Sequence, residues 1–210
     1  MATRRRPRAA PKQSSARDPR QRLISAALGL AAEQGWRRTG MADIAAEAGL
    51  SLHDTYALFR SKFAILIAFR RSIDEAVLAG PSPSANDSPR DRLFDVLMRR
   101  FDALKPHRKA LQAILRDSIG QGTLVKSLPG FLRSMSWMLA AAAIPNTGCH
   151  GRVTARFVAA LYLTVLPTFF RDDSADLGTT MATLDRRLRQ AESLVNGLRP
   201  VTERVRKARA

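Results

Sequence analysis

The sequence contains a single cysteine, Cys149, in 210 residues. No disulfide can form within the chain, and we expect a reducing compartment, the cytoplasm. The sequence also lacks a long apolar stretch, because the run Phe157–Phe170 falls short of the ~20 residues that a membrane span needs and Pro167 interrupts it. Arginines followed by LISAALGLAA could be taken for a targeting peptide, but the run continues into a helix pattern without a cleavage-like break. We therefore expect neither a membrane span nor a signal peptide.

Acidic residues are scarce, with 18 against 35 basic residues and a net charge of +17. The excess is uneven, because residues 1–22 hold eight basic side chains and one acidic (net +7) and residues 199–210 hold five and one (net +4). Basic ends favour polyanions, either nucleic acid or an anionic membrane surface. Composition alone does not choose between these partners, and such ends also simply increase solubility.

Signatures of catalysis and of metal binding are missing. The sequence has no glycine-rich phosphate loop, no nucleophile elbow and no His-x-x-x-His pair, and its three histidines lie in unrelated segments. Cys149 and His150 are adjacent, but a tetrahedral zinc site needs about four ligands at suitable spacing. The acidic run Arg171–Asp176 is better explained as the start of a helix, where carboxylates are favourable, than as a metal site. We therefore expect a protein that is not an enzyme and carries no cofactor or metal.

Alternating strand patterns and internal repeats are also absent, whereas apolar residues recur at three- and four-residue spacing along most of the chain. The sequence predicts an all-α fold of about nine helices. We expect a basic arm (1–18), a helix-turn-helix domain (19–66), a helical effector-binding and dimerisation domain (67–198) and a basic tail (199–210). The predicted helices cover about 19–34, 41–48, 52–59, 62–79, 88 to at least 101, 106–118, 127–144, 151–170 and 176–198.

The stretch Asp43–Phe59, DIAAEAGLSLHDTYALF, predicts two short helices joined by a tight turn. Gly49 ends the first helix, where a left-handed backbone is cheap for glycine alone. Ser51 caps the second helix and Asp54 stands three positions later, as in a capping box. Such a unit needs the helix at 19–34 as a platform, with Trp36 filling the space between them.

The blocks LISAALGLAAEQGW, TGMADIA, AGLS and TY..F.SK..IL, together with their spacing, resemble the TetR family of regulators between about Arg20 and Leu66. The resemblance implies an N-terminal helix-turn-helix, a variable helical ligand domain and a homodimer formed by the last two helices. It also implies a transcriptional regulator, in most cases a repressor, that leaves double-stranded DNA when a small apolar ligand binds. The residues that the family pattern would place at DNA are Thr39, Ser51, Leu52, His53, Tyr56 and Lys62.

Several positions of this region depart from the family pattern. Ala31 stands where phenylalanine is usual, Gly40 stands where a Ser or Thr usually caps, and no Arg, Asn or Gln lies between Ser51 and Phe59. A bidentate base contact discriminates by ~1–3 kcal/mol, so we expect weak direct readout. We expect Tyr56 and Lys62 to meet phosphates, the basic arm to enter a minor groove, and Asp54 to act as a helix cap.

The C-terminal half resembles the ubiquinone-biosynthesis accessory proteins, which have a TetR-like fold but bind lipid and a partner enzyme. The matching residues are Arg156, Tyr162, Asp172, Ser174, Thr180 and the run 184–188. This resemblance implies an apolar ligand between the helices and, as an alternative function, a lipid-binding protein at the membrane surface with a vestigial helix-turn-helix. The candidate pocket residues, which would otherwise be ordinary core, are Phe131, Met135, Trp137, Met138, Phe157, Leu161, Tyr162, Val165 and Phe169.

Overall fold

A computed structural model describes residues 18–84, 86–119 and 123–207 of the chain. In these ranges it contains nine α-helices, one 3₁₀ turn and no strand, which confirms the predicted all-α fold. The helices are α1 (Pro19–Gln34), α2 (Met41–Glu47), α3 (Leu52–Leu58), α4 (Lys62–Leu78), α5 (Pro89–Leu104), α6 (Arg108–Ser118), α7 (Thr123–Ala141), α8 (Gly148–Arg171) and α9 (Gly178–Lys207), with the 3₁₀ turn at Lys105–His107.

Local capping explains where several helices begin. The Asp18 carboxylate accepts from the Arg20 N–H at 3.1 Å, ahead of the first-turn proline of α1. Ser88 does the same for α5, where its hydroxyl accepts from the Asp91 N–H at 3.1 Å and donates to the Asp91 carboxylate at 2.6 Å. These contacts satisfy N–H groups that have no partner within the helix. Both starts are therefore fixed by residues adjacent in sequence.

Two helices differ from their predicted extents. Helix α7 begins at Thr123 instead of Ser127, so Pro129 lies inside the helix and not in its first turn. Helix α9 runs to Lys207, into the segment that the sequence predicts as a basic tail. The basic arm, except for Asp18 at its end, lies outside the described residues.

One hydrophobic core joins the helix-turn-helix to the larger helical body. Buried side chains of α1 and α4, such as Leu23 and Ile65, belong to the same cluster as Phe101 of α5 and Phe169 of α8. The Phe101 ring stacks on Tyr162 at 4.6 Å between centroids and lies 5.1 Å from Phe169. Helix α1 packs on α6 and α4, so the position of the N-terminal domain depends on how these helices pack.

Helix α8 is long and apolar, with a mean hydropathy of 1.6 over its most apolar window, and by length and composition it would be able to cross a membrane. It packs instead between α7 and α9. Of that window, 39% is buried inside the protein, through residues such as Val158, Tyr162 and Val165. The opposite side of the helix is exposed and also carries apolar side chains, Val153 and Leu163 among them.

Candidate nucleic-acid interface

The turn between α2 and α3 is fixed by glycine and by a side chain from α1. Gly49 has φ +62°, a left-handed conformation, and the Leu50 N–H donates to the Ala45 carbonyl at 2.9 Å. The Arg22 guanidinium donates to the Ala48 carbonyl and, at 3.1 Å, to the Gly49 carbonyl. A Cβ at position 49 would lie 2.9 Å from that guanidinium. Backbone conformation and close approach therefore both favour glycine here.

The start of α3 has the predicted cap. The Ser51 hydroxyl accepts from the Asp54 N–H at 3.0 Å and donates to the Asp54 carboxylate at 2.6 Å. Asp54 thus folds back onto its own helix, although its side-chain partner is the Ser51 hydroxyl and not the Ser51 N–H that the capping-box pattern would suggest. The carboxylate remains exposed, so a negative charge stays on this side of α3.

The outward face of α3 consists of apolar, aromatic and imidazole groups. Leu52 and Tyr56 are 59% and 62% exposed, and His53 and Ala57 are exposed beside them. Thr55, at 1% exposed, points into the domain. Helix α3 therefore presents a free surface of the size that fits a major groove, with His53 as its nitrogen-bearing hydrogen-bonding side chain.

Lys62, predicted to meet phosphate, is engaged inside the domain. Its ammonium donates to the Trp36 carbonyl at 2.8 Å and to the Thr39 carbonyl at 2.5 Å, and it lies 4.7 Å from the Trp36 ring centroid. Burial lowers the pKa of Lys62, while the carboxylates of Asp117 and Asp43 act in the opposite direction. These contacts hold the loop between α1 and α2, which is a positioning role.

Thr39 is also placed differently from its prediction as a DNA contact. It is 1% exposed, and its hydroxyl donates to the Gly35 carbonyl at 2.9 Å. Its side chain is therefore turned into the domain, because the loop between α1 and α2 folds over it. Of the six predicted DNA contacts, the four on or next to α3 (Ser51, Leu52, His53 and Tyr56) share one exposed surface.

Three exposed arginines outside α3 were not among the predicted DNA contacts. Arg60, just beyond the C-terminal end of the helix-turn-helix stretch, is exposed, and its guanidinium carbon lies 5.9 Å from the Tyr56 ring centroid. Arg37 and Arg38 are exposed in the loop between α1 and α2. The signal available in the sequence was their place just outside the helix ends, where phosphate contacts commonly originate.

A carboxylate of α6 connects the helical body to the same loop. Asp117 accepts from the Arg37 N–H at 3.0 Å, and this backbone hydrogen bond is the main reason that the pKa of Asp117 is lowered. The Arg116 side chain adds an ion pair at 3.3 Å. Asp117 therefore connects α6 to the loop that Lys62 also contacts.

Most of the residues predicted to line a pocket lie in the hydrophobic core. Met135, Met138, Leu161, Tyr162, Val165 and Phe169 are buried in the core and Phe131 is partly buried against it. Trp137 and Phe157, which are 53% and 43% exposed, face outward and correct the prediction that they line an interior pocket. Open grooves of about 670 and 600 Å³ lie along α9 and between α1 and α6.

The acidic run before α9 is a capping structure, as predicted. Asp172, 3% exposed, accepts from the Ser174 N–H at 3.2 Å and from the Thr180 N–H and hydroxyl at 2.6 and 2.7 Å. Although burial raises its pKa, these hydrogen bonds and that of the Ser174 hydroxyl lower the pKa of Asp172 to about 2. Asp172, Ser174 and Thr180 thus have a structural use at the α8–α9 junction.

The N-terminal region of the chain is similar to a known protein family. Residues 23–69 match the family model described as bacterial regulatory proteins, tetR family. The comparison with curated proteins gives no match. It therefore adds nothing on the resemblance to the ubiquinone-biosynthesis accessory proteins, which is not shown.

Solved structures of similar fold cover most of the chain. A TetR transcriptional regulator from Nitrosomonas europaea is 24% identical, with 83% of this chain and 99% of that chain covered and a TM-score of 0.68. A TetR transcriptional regulator from Rhodococcus sp. RHA1 is 22% identical, with 82% and 94% covered and a TM-score of 0.61. FadR from Bacillus subtilis, in complex with stearoyl-CoA, is 18% identical, with 80% and 97% covered and a TM-score of 0.52.

Over the 80–83% of the chain that they cover, these likenesses show the fold. Residues 23–69 match the TetR family model, and the chain has the all-helical fold of TetR transcriptional regulators.

Proposed function

We propose that the protein is a homodimeric transcriptional regulator, a repressor in the cytoplasm, that binds double-stranded DNA through α3 and leaves it when a small apolar effector binds. The observation that carries the proposal is the free outward face of α3, held by the Arg22, Gly49 and Ser51 contacts within a domain that matches the TetR family. A helix-turn-helix presents its second helix to the major groove in this way.

Affinity comes mainly from phosphate contacts in this proposal. Arg60 lies beside the exposed face of α3, and Arg37 and Arg38 are exposed in the loop between α1 and α2. Residues 1–17 add six basic side chains without an acidic one. On α3 itself, His53 supplies a hydrogen bond to a base edge, and Leu52 or Ala57 contacts a thymine methyl group. The Asp54 carboxylate works against close approach to phosphates, so we expect modest sequence discrimination.

The exposed apolar side of α8 supports dimerisation through α8 and α9. Val153, Phe157 and Leu163 are 62%, 43% and 49% exposed, and Met181 of α9 is 39% exposed. Val153 and Phe157 are four residues apart and therefore share one face of the helix. A surface of this kind on a soluble chain indicates an interface. A dimer interface would also explain, without membrane insertion, why the composition of α8 resembles that of a membrane span.

Effector binding is the third element of the proposal. The buried aromatic and methionine side chains of α5, α7 and α8 form the apolar interior in which such a ligand would be placed. The stearoyl-CoA complex of FadR shows that a protein of similar fold binds an acyl compound. The packing of α6 on α1, together with the Asp117 contact, offers a route from this interior to α3.

The decisive test is selection of genomic fragments by the purified full chain. We expect enrichment of palindromic fragments with half-sites about one helical turn apart and a steep fall in affinity with salt. Equal affinity for every DNA duplex tested would exclude the proposal that the protein is a sequence-specific regulator.

An alternative function, a lipid-binding accessory protein of ubiquinone biosynthesis, remains a proposal supported by one observation. Leu52 and Tyr56 are large, exposed and better suited to a lipid surface than to bases. Mass spectrometry of the purified protein would then find co-purified isoprenoid lipid, and the protein would associate with anionic liposomes at low salt. A lipid-free extract with no liposome association would exclude this alternative.

A further inference from the structure

A buried polar cluster lies where α4, α5, α7 and α8 meet. Arg100 is 4% exposed, and its guanidinium donates through Nη1 to the Asp74 carboxylate. Ser134, 1% exposed, donates to the same Asp74 oxygen at 2.5 Å. The guanidinium carbon of Arg100 lies 5.8 Å from the ring centroid of Tyr162, which is 2% exposed. Four polar side chains thus meet in an otherwise apolar interior.

Two donors in this cluster have no acceptor. The Arg100 Nε–H and the Tyr162 hydroxyl are both buried, and neither has a hydrogen-bond partner among the described residues. Burial raises the pKa of Tyr162 to about 12, whereas the charge of Arg100 and a hydrogen-bonding interaction with its guanidinium lower this pKa. The two groups are thus close to each other, but their geometry does not satisfy either donor. Buried donors without acceptors are rare in folded proteins, so each one needs an explanation.

The charge of the cluster is also unbalanced. Arg70 of α4 lies against Gly130 of α7, and a Cβ at that glycine would clash with its guanidinium. Burial lowers the pKa of Arg70, the Asp74 carboxylate raises it, and the charges of Arg133 and Arg100 lower it further. Three guanidinium groups therefore act around one carboxylate, and an additional anion would be attracted here.

We infer that this cluster binds the carboxylate of an apolar organic acid, with the Arg100 Nε–H and the Tyr162 hydroxyl as donors. The inference rests on the proposed effector function and names the chemical class of the effector. Two donors match the two oxygens of a carboxylate, whereas a phosphate would leave further oxygens buried without donors.

The surroundings fit the apolar part of such a molecule. The Tyr162 ring stacks on Phe101 and lies 6.0 Å from the ring centroid of Phe131, and Met135 and Met138 are fully buried nearby on α7. Aromatic rings and thioethers adapt to the shape of an aliphatic or aromatic body. The ligand would thus be held by its head in the polar cluster and by its body in the core.

The test compares acids with neutral analogues of the same length on the full chain. Binding of octanoate, dodecanoate and hexadecanoate, and of the corresponding alcohols, would be measured by calorimetry and by the shift in Tm. We expect at least one acid to bind more than tenfold tighter than its alcohol. Tyr162→Phe, which removes only the unpaired hydroxyl, should weaken acid binding about tenfold and leave alcohol binding unchanged.

Ser72→Ala is the matched control, because that hydroxyl donates within its own helix to the Phe69 carbonyl at 2.7 Å and lies outside the cluster. This variant should bind the acids like the unaltered protein. Equal affinity for acids and alcohols, no binding of any acid, or an unchanged acid affinity in Tyr162→Phe would each overturn the inference.

Genomic selection separates failure of this inference from failure of the proposed function. If the protein selects DNA fragments but prefers no acid over its alcohol, the regulator stands and the carboxylate site is wrong. If an acid binds through Tyr162 but no fragment is enriched, the site stands and the DNA-binding function is wrong.

Discussion

Lys62→Met tests whether Lys62 holds the α1–α2 loop or contacts DNA. The substitution keeps most of the aliphatic stem and removes the ammonium that donates to the Trp36 and Thr39 carbonyls. A hydrogen bond to a charged group contributes about 1.5–3 kcal/mol and an exposed cation–π contact about 0.5–1 kcal/mol. Because Lys62 is only partly buried, we expect a loss of about 2–4 kcal/mol in the free energy of unfolding.

Urea denaturation measures this loss, and the salt dependence of DNA binding measures the second role. Each phosphate contact contributes about 0.9 to the slope of log affinity against log salt. If Lys62 only positions the loop, affinity should fall in Lys62→Met while that slope stays unchanged. Unchanged stability combined with a reduced slope would refute the positioning role and restore the phosphate contact.

Arg60→Met is the matched control for this experiment. Arg60 is exposed and its guanidinium lies over the Tyr56 ring, on the surface of the domain, so its removal should change stability by less than about 0.5 kcal/mol. It should instead reduce the salt slope by about 0.9 for each phosphate that the guanidinium neutralises. The two substitutions are therefore expected to have opposite signatures.

Three further predictions concern the fold and the proposed dimer. The pKa of Asp172 is about 2 instead of 3.8, which at 1.36 kcal/mol per pH unit corresponds to at most about 2.4 kcal/mol in the free energy of unfolding. This contribution is present above pH 4 and is lost as the pH falls toward 2. Asp172→Asn should therefore flatten that part of an acid-denaturation curve. Gly49→Ala, at φ +62°, should cost about 1–2 kcal/mol in urea denaturation, and no loss would contradict the left-handed turn. Phe157→Glu should yield monomers in analytical ultracentrifugation, whereas Leu78→Glu, of similar exposure, should remain dimeric; a dimeric Phe157→Glu would exclude this face.

Features set by neighbouring residues were predictable from the sequence. Ser51 with Asp54 and Ser88 with Asp91 cap helices across three residues, so the pattern contains all the groups involved. Gly49 follows for the same reason, because the turn is local. Such short-range rules fixed the helix-turn-helix and the starts of several helices.

Features set by tertiary contacts were not predictable in this way. Lys62 is 26 and 23 residues away from the two carbonyl groups to which it donates. A lysine ammonium group binds a phosphate as readily as it binds the carbonyl groups of a loop. Helix α8 is apolar on both its buried and its exposed sides, so periodicity does not separate Phe157, which faces outward, from Val158, which is buried. Which of these two side chains is buried depends on how α7 and α9 pack against α8.

The buried cluster around Arg100 is a site that could not be predicted from the sequence. Each member has an ordinary explanation when taken alone: an arginine on an amphipathic helix, a tyrosine in an aromatic stripe, an aspartate beside basic residues. These side chains indicate a binding site only in the folded chain, where four helices bring them together. There the Arg100 Nε–H and the Tyr162 hydroxyl have no acceptors among the described residues. A buried donor without an acceptor costs desolvation free energy that no hydrogen bond offsets. An acceptor that arrives with a ligand would offset this cost at both groups.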